Sequence, residues 1–173
     1  MRSAISILTG TGILLSLAAC SHIGPLHGYT IASKSMEPTL YEGDKIIADE
    51  SYYSSHRIAD GDLVVFRHNG FVLIKRVTAT AGETIESREG VLFRNNHALD
   101  EPYAHHSGEP SPELQTFAVR TVPSGELFVT GDNRDFSLDS RLSEFGLVHA
   151  LDVLGVPTYI QSSNHGGSGR QLK

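Results

Sequence analysis

Ser35, in the run Ser33-Lys34-Ser35-Met36-Glu37-Pro38-Thr39-Leu40, and Lys75, in Phe71-Val72-Leu73-Ile74-Lys75-Arg76-Val77, are residue types that together can open an amide bond. A serine hydroxyl needs a base before it attacks a carbonyl, and a lysine serves only when its amine is neutral. Written as a strand, the second run puts Phe71, Leu73, Lys75 and Val77 on one side and Val72, Ile74 and Arg76 on the other. Lys75 then stands among apolar neighbours. Desolvation disfavours its ammonium and is expected to bring its pKa down from about 10.4 to roughly 8. The chemistry this pair offers is nucleophilic hydrolysis of an acyl bond.

A third run, Gly131-Asp132-Asn133-Arg134-Asp135-Phe136-Ser137-Leu138-Asp139-Ser140-Arg141, concentrates acids, arginines and serines behind a glycine. Such density predicts a hydrogen-bonded loop that organises a site. Asp132 and Asp139 are expected to be neutralised from within the loop by Arg134 and Arg141, so a structural role is favoured over a carboxylate acid/base pair or a calcium loop. Nine histidines are present, and His97 with His105-His106 could be drawn as a ligand cluster. Adjacent histidines on a polar loop are expected to be solvated, and no metal or other cofactor is predicted. None of the nine falls in the three runs, which disfavours a Ser-His-Asp relay.

Together with Gly61-Asp62-Leu63-Val64-Val65-Phe66, these runs resemble bacterial signal peptidase I, the membrane-bound Ser-Lys endopeptidase of family S26. The resemblance covers about residues 28–160: S-x-S-M-x-P-T, G-D-x-V-V-F, K-R-V and G-D-N-R-D-x-S-x-D-S-R occur in the family's order. It implies Ser35 as nucleophile and Lys75 as general base, with the Ser35 backbone N–H and the Ser33 hydroxyl as oxyanion hole. Ser137 would orient the Lys75 nitrogen, and Arg76, Asp132, Asp139 and Arg141 would pair charges around the site. Two shallow apolar pockets would select Ala-x-Ala, from positions matching Tyr29, Ile31, Met36, Leu40, Ile46, Leu73 and Ile74, with Ile31 and Ile74 separating them. The substrate would bind as an extended strand beside residues 29–33 and 71–75. Three positions depart from the pattern: Ala32 replaces a common proline, Lys34 a small residue and Phe136 an asparagine. Lys34 is expected to be solvated.

The elements that must position these groups read as strands. Short apolar runs broken by turn residues predict strands at 29–32, 45–48, 62–67, 71–78, 84–88, 91–94, 117–122, 127–130 and 153–160. Asn69-Gly70 predicts a tight hairpin between two of them, and a short helical turn is expected over 137–143. The fold class is mainly β, and the resemblance implies a coiled β-sheet or barrel-like catalytic domain over residues 28–160. Residues 95–115 form a loop or small cap within it. The glycine-rich stretch 161–173 is expected to be disordered.

At 173 residues, 39% hydrophobic and 20% charged, the chain can bury a core. A net charge of -6 argues against a nucleic-acid partner, and the lone Cys20 excludes an intrachain disulfide. Residues 1–23 hold an apolar run from Ala4 to Ala19 behind Arg2. Two readings stay open: an uncleaved membrane anchor, or a lipoprotein-type signal in which Leu17-Ala18-Ala19-Cys20 is processed and Cys20 lipidated. Either would hold the domain, a monomer, on the outer or periplasmic face of the bacterial cytoplasmic membrane, with the lipid bilayer and preprotein signal peptides as partners. The alternatives are a conjugation-type peptidase that processes one pilin, and an inactive, membrane-tethered peptide-binding module.

Overall fold

The computed structural model describes residues 25–108 and 112–172, so the readings placed on residues 1–23 lie outside it. Twelve strands build the described part: β1 (Leu26–Thr30), β2 (Lys45–Asp49), β3 (Leu63–His68), β4 (Phe71–Ala79), β5 (Thr84–Arg88), β6 (Val91–Arg94), β7 (His97–Ala98), β8 (Phe117–Thr121), β9 (Glu126–Thr130), β10 (Val148–His149), β11 (Val153–Ser162) and β12 (Arg170–Gln171). The one described α-helix is the single turn α1 (Pro112–Gln115). An eight-stranded sheet runs β1-β2-β11-β3-β4-β9-β10, with β12 on β11; a four-stranded sheet runs β7-β6-β5-β8. The mainly β fold class therefore holds.

Alternation along β3 and β4 gives the large sheet a core on each face. Leu63 and Ile74 pack with Ile31, Met36, Leu40, Ile46 and Ile160, whereas Val64, Phe66, Leu73 and Val77 pack with Leu127, Val129 and Val148. A third cluster, Ala79, Ile85, Leu92, Phe117, Val122 and Phe128, joins the two sheets. β3 and β4 pair from Leu63↔Arg76 to His68↔Phe71, leaving only Asn69 and Gly70 in the turn. Their φ angles of 48° and 83° are the left-handed pair that a two-residue hairpin of this hand demands.

Two expectations fail. Residues 137–143 form turns and no helix: Leu142 N–H closes a single turn on the Asp139 carbonyl at 3.0 Å, while Ser140 N–H is drawn out of the segment to the Val129 carbonyl at 3.0 Å. The stretch 161–172, expected to be disordered, instead carries the end of β11 and returns as β12, with Ile160↔Arg170 and Tyr159↔Gln171 in register. Positive φ angles at Gly166, Gly167 and Gly169 (86°, 82° and 80°) supply the reversal, so the glycines that looked like disorder build a turn.

Gly155 marks the tightest crossing of the large sheet. It lies where β11 shifts register against β3, and an added Cβ would strike the Asp49 carbonyl oxygen and come within 2.8 Å of Glu50 Cα. Both are backbone atoms, so the strand itself must move. Gly155→Ala should destabilise the fold by about 2–3 kcal/mol, read as a lower denaturation midpoint with an unchanged slope.

Candidate active site

The segment from Ile31 to Leu40 leaves β1, makes a 3-10 turn over Lys34–Met36 and drops Met36 and Leu40 into the core. That anchoring fixes Ser35, which is 7% exposed. From the adjacent β4, Lys75 Nζ donates to Ser35 Oγ at 2.7 Å, and the two hydroxyls of Ser33 and Ser35 share a hydrogen bond at 3.2 Å. Lys75 is 4% exposed. Burial pushes its pKa down to about 8; the Asp139 and Asp132 carboxylates pull it back up, and Arg141 opposes them. A neutral amine at this distance can accept the Ser35 proton.

The loop 131–141 closes the site from behind. Gly131 permits this: a Cβ there would collide with Ser137 Oγ and the Ser35 carbonyl oxygen. Asn133 N–H donates to that Ser35 carbonyl at 3.1 Å, tying the loop to the serine's own peptide. Asp132 accepts from Arg76 Nε and Nη2 at 2.8 and 2.6 Å and from Thr39 Oγ1 at 2.5 Å. Asp139 accepts from Arg141 Nε and Nη2 at 2.9 and 3.0 Å. Burial by itself would raise the Asp139 carboxyl, but Arg141, the Ser137 hydroxyl and the Gly131 amide outweigh it and hold it below the usual carboxylate range.

Some site residues sit elsewhere than expected. Ser137 is buried, and the expected bond to Lys75 is not formed: Nζ reaches Ser35, while the Ser137 hydroxyl lies against Gly131 and acts on the Asp139 carboxylate. Arg134 does not neutralise an aspartate of its own loop. It makes a two-pronged pair with Glu101 at 2.9 and 2.8 Å and donates to the Gly131 carbonyl at 3.0 Å. Lys34 is exposed, and so is His106, whose Nδ1 lies 2.9 Å from Asp135.

A cavity of about 230 Å³ opens beside the pair, lined by Tyr29, Thr30, Ile31, Ala32, Ser33, Ser35, Met36, Val72, Leu73, Ile74 and Lys75. Five of the seven expected pocket residues line it. Leu40 and Ile46 do not: both are fully buried beneath Met36, where they close the core with Leu63 and Ile160. Thr30, Ala32 and Val72 were missed as individual residues, although each lies inside the two stretches named for substrate binding.

Glu101, Tyr103 and Thr39 were missed as well. Tyr103 lies under the Arg76 guanidinium at 3.9 Å from ring centroid to Cζ and donates to Glu101 at 2.9 Å. No motif spacing announces them, because Glu101 meets Arg134 across 33 positions of chain. Thr39 alone carried a signal, since it closes the S-x-S-M-x-P-T run.

Comparisons with known proteins agree with this geometry. The family model for signal peptidase, peptidase S26, matches residues 4–160. A probable signal peptidase I-1 of Synechocystis sp. is 36% identical over 135 residues, covering 72% of this chain and 65% of that protein. Signal peptidase IB of Staphylococcus aureus is 31% identical over 141 residues, covering 73% of each. The crystal structure of a signal peptidase I from Enterococcus faecalis superposes with a TM-score of 0.51 at 33% identity, over 58% of this chain and 97% of that one. A serine held by a buried lysine, a family match over most of the chain and these relatives agree: the chain belongs to the signal peptidase family, peptidase S26.

Proposed function

We propose that this chain is a signal peptidase I, a Ser-Lys endopeptidase that removes N-terminal signal peptides from exported preproteins at Ala-x-Ala-type sites. The observation that carries the reading is the 2.7 Å contact between Ser35 Oγ and a Lys75 Nζ whose pKa burial has brought to about 8. Neutral Lys75 takes the Ser35 proton as Oγ bonds to the scissile carbonyl carbon. The resulting oxyanion is held by the Ser35 N–H and the Ser33 hydroxyl, which stands beside Oγ at 3.2 Å. The Lys75 ammonium then protonates the leaving amine; neutral Lys75 next takes a proton from a water that attacks the acyl carbon, and returns it to Ser35 Oγ as the ester bond breaks. Ser137, buried beside Asp139, is assigned to hold the ammonium once Ser35 is acylated.

Backbone topology supports an extended substrate. Among the described residues, β1 pairs only with β2, and β4 pairs with β9 only from Arg76 onward, so residues 71–75 have one edge without a described partner strand. The cavity lies between these two edges. A peptide added there gains main-chain hydrogen bonds, and alternate side chains enter the cavity. The N-terminal apolar run supports attachment to the outer face of the bacterial cytoplasmic membrane, where signal peptides emerge from the bilayer.

Incubating the full chain in detergent with a preprotein and mapping the new N-terminus tests the reading directly. Cleavage after Ala-x-Ala is expected; an intact preprotein would refute it. Ser35→Ala and Lys75→Ala should each fall to near background, and the double variant should be little worse than either, because the two act as one unit. Ser33→Ala should keep weak activity, since one oxyanion donor survives.

The pH profile follows from the direction of the lysine shift. Below about 8 the folded protein holds Lys75 as ammonium, which cannot accept a proton, so kcat/KM should rise nearly tenfold per pH unit and level off above about 8. A profile flat from pH 6 to 9 with chemistry rate-limiting would exclude Lys75 as the base.

Specificity should depend on Ile74, which packs with Ile31 against the core and lines the cavity. Ile74→Ala should shift the ratio of kcat/KM toward bulkier residues before the cut by about tenfold. An unchanged ratio would show that this side chain does not divide the pockets.

A further inference from the structure

The returning strand β12 meets the nucleophile segment at Thr39, the residue whose hydroxyl is bonded to Asp132 of the 131–141 loop. Arg170 Nη2 donates to the Thr39 carbonyl at 2.9 Å. Leu172 N–H donates to the Thr158 carbonyl at 2.9 Å, and its side chain packs on the cluster of Ile31, Met36, Leu40 and Ile46. The turn before it is closed by Gly169 N–H to the Ile160 carbonyl at 2.8 Å and Arg170 N–H to the Gly167 carbonyl at 3.0 Å. The Tyr41 and His165 rings stack at 4.5 Å, adding a second contact between this hairpin and the segment that carries Ser35.

Thr39 is therefore gripped from two directions. Its hydroxyl donates to Asp132 on the loop side, and its carbonyl accepts from Arg170 on the hairpin side. Leu40 N–H closes back on the Met36 carbonyl at 2.9 Å, so a displacement of Thr39 is passed to the turn that holds Ser35. The Ser35–Lys75 contact tolerates little drift, because proton transfer requires hydrogen-bond distance.

We propose that β12 is a latch for the nucleophile, with Arg170 and Leu172 as positioning residues that fix Ser35 against Lys75 without touching substrate. The proposal rests on the peptidase reading above for its catalytic readout. It goes beyond that reading in giving residues 163–172, outside the family match at 4–160, a part in turnover.

The test uses the full chain in detergent with three variants, Arg170→Ala, Arg170→Lys and Leu172→Ala, and a fourth ending after Ser162. Three quantities are read: kcat and KM on a signal-peptide substrate, amide hydrogen exchange over residues 34–40, and Tm. Loss of one charged donor to a carbonyl should lower kcat about fivefold in Arg170→Ala, with KM within about twofold, and speed exchange at Leu40. Arg170→Lys, which keeps a donor, should recover most of kcat. Leu92→Ala, in the core of the small sheet on β6, which pairs with neither β11 nor β12, controls for general loss of stability. An unchanged kcat in Arg170→Ala overturns the latch, as does a loss that Leu92→Ala reproduces at equal Tm. If the wild type cleaves nothing, the peptidase reading fails separately, and exchange decides the latch: unchanged protection at Leu40 in both Arg170→Ala and the shortened chain refutes it.

Discussion

Burial of one amine is the constraint from which the rest of the site follows. An ammonium withdrawn from water without a fixed counter-ion loses much of its reason to stay protonated. Lys75 has two carboxylates in range, Asp139 and Asp132, yet its pKa still falls to about 8. Desolvation outweighs both carboxylates, and the Arg141 charge adds to it. Each carboxylate is also committed to an arginine in two-pronged geometry, Asp139 to Arg141 and Asp132 to Arg76. Without Arg141 the Asp139 charge would act on Lys75 unopposed and raise its pKa. Burial has a second consequence: between about pH 8 and 10.5 the unfolded chain binds a proton that the folded chain does not, so Lys75 makes folding more favourable as pH rises through that window.

Buried ion pairs are weak contributors to net stability, because desolvation offsets most of their attraction. Their value here is geometric. Arg134 joins the loop to Glu101 and to the Gly131 carbonyl, while Arg141 Nη2 donates to the Arg134 carbonyl at 2.7 Å. A guanidinium fork accepts few orientations, so each pair defines a direction as well as a distance. The loop 131–141 is in this way stiffened by side chains where it lacks helix or strand.

Legibility from sequence followed the range of the interaction. Short apolar runs broken by turn residues located the long strands, alternation put Leu73 and Ile74 on opposite sides of β4, and Asn69-Gly70 announced its hairpin because turn geometry is decided by adjacent residues. The meeting of Ser35 and Lys75 was legible for a different reason: both lie in motifs whose family order is specific. What stayed hidden depends on contacts between distant segments. Glu101 finding Arg134, Tyr103 under Arg76, and Arg170 on Thr39 across 131 positions leave no local trace. The tail was misread because glycines that build a reversal and glycines that accompany disorder have the same composition; only the partner strand β11 distinguishes them.

The small sheet and the 95–108 segment connect these observations. Arg94 of β6 donates to the Thr78 carbonyl of β4 at 3.1 Å and pairs with Asp60 at 2.7 Å, fastening the second sheet to the strand that carries Lys75. Beyond β7 the chain continues to Glu101, Tyr103 and then His105, whose N–H donates to the Asp132 carbonyl at 2.8 Å and whose carbonyl accepts from Arg134 at 2.8 Å. A stretch that reads as a polar cap is thereby built into the back wall of the site, one residue from the carboxylate that neutralises Arg76. Exposed loop positions tolerate substitution because water replaces what is lost. Here water cannot do so, since Arg134 and Asp132 are 2% and 0% exposed and a missing partner would leave a buried charge alone. The cap is accordingly part of the frame around Ser35 and Lys75, even though none of its described side chains lines the cavity beside Ser35.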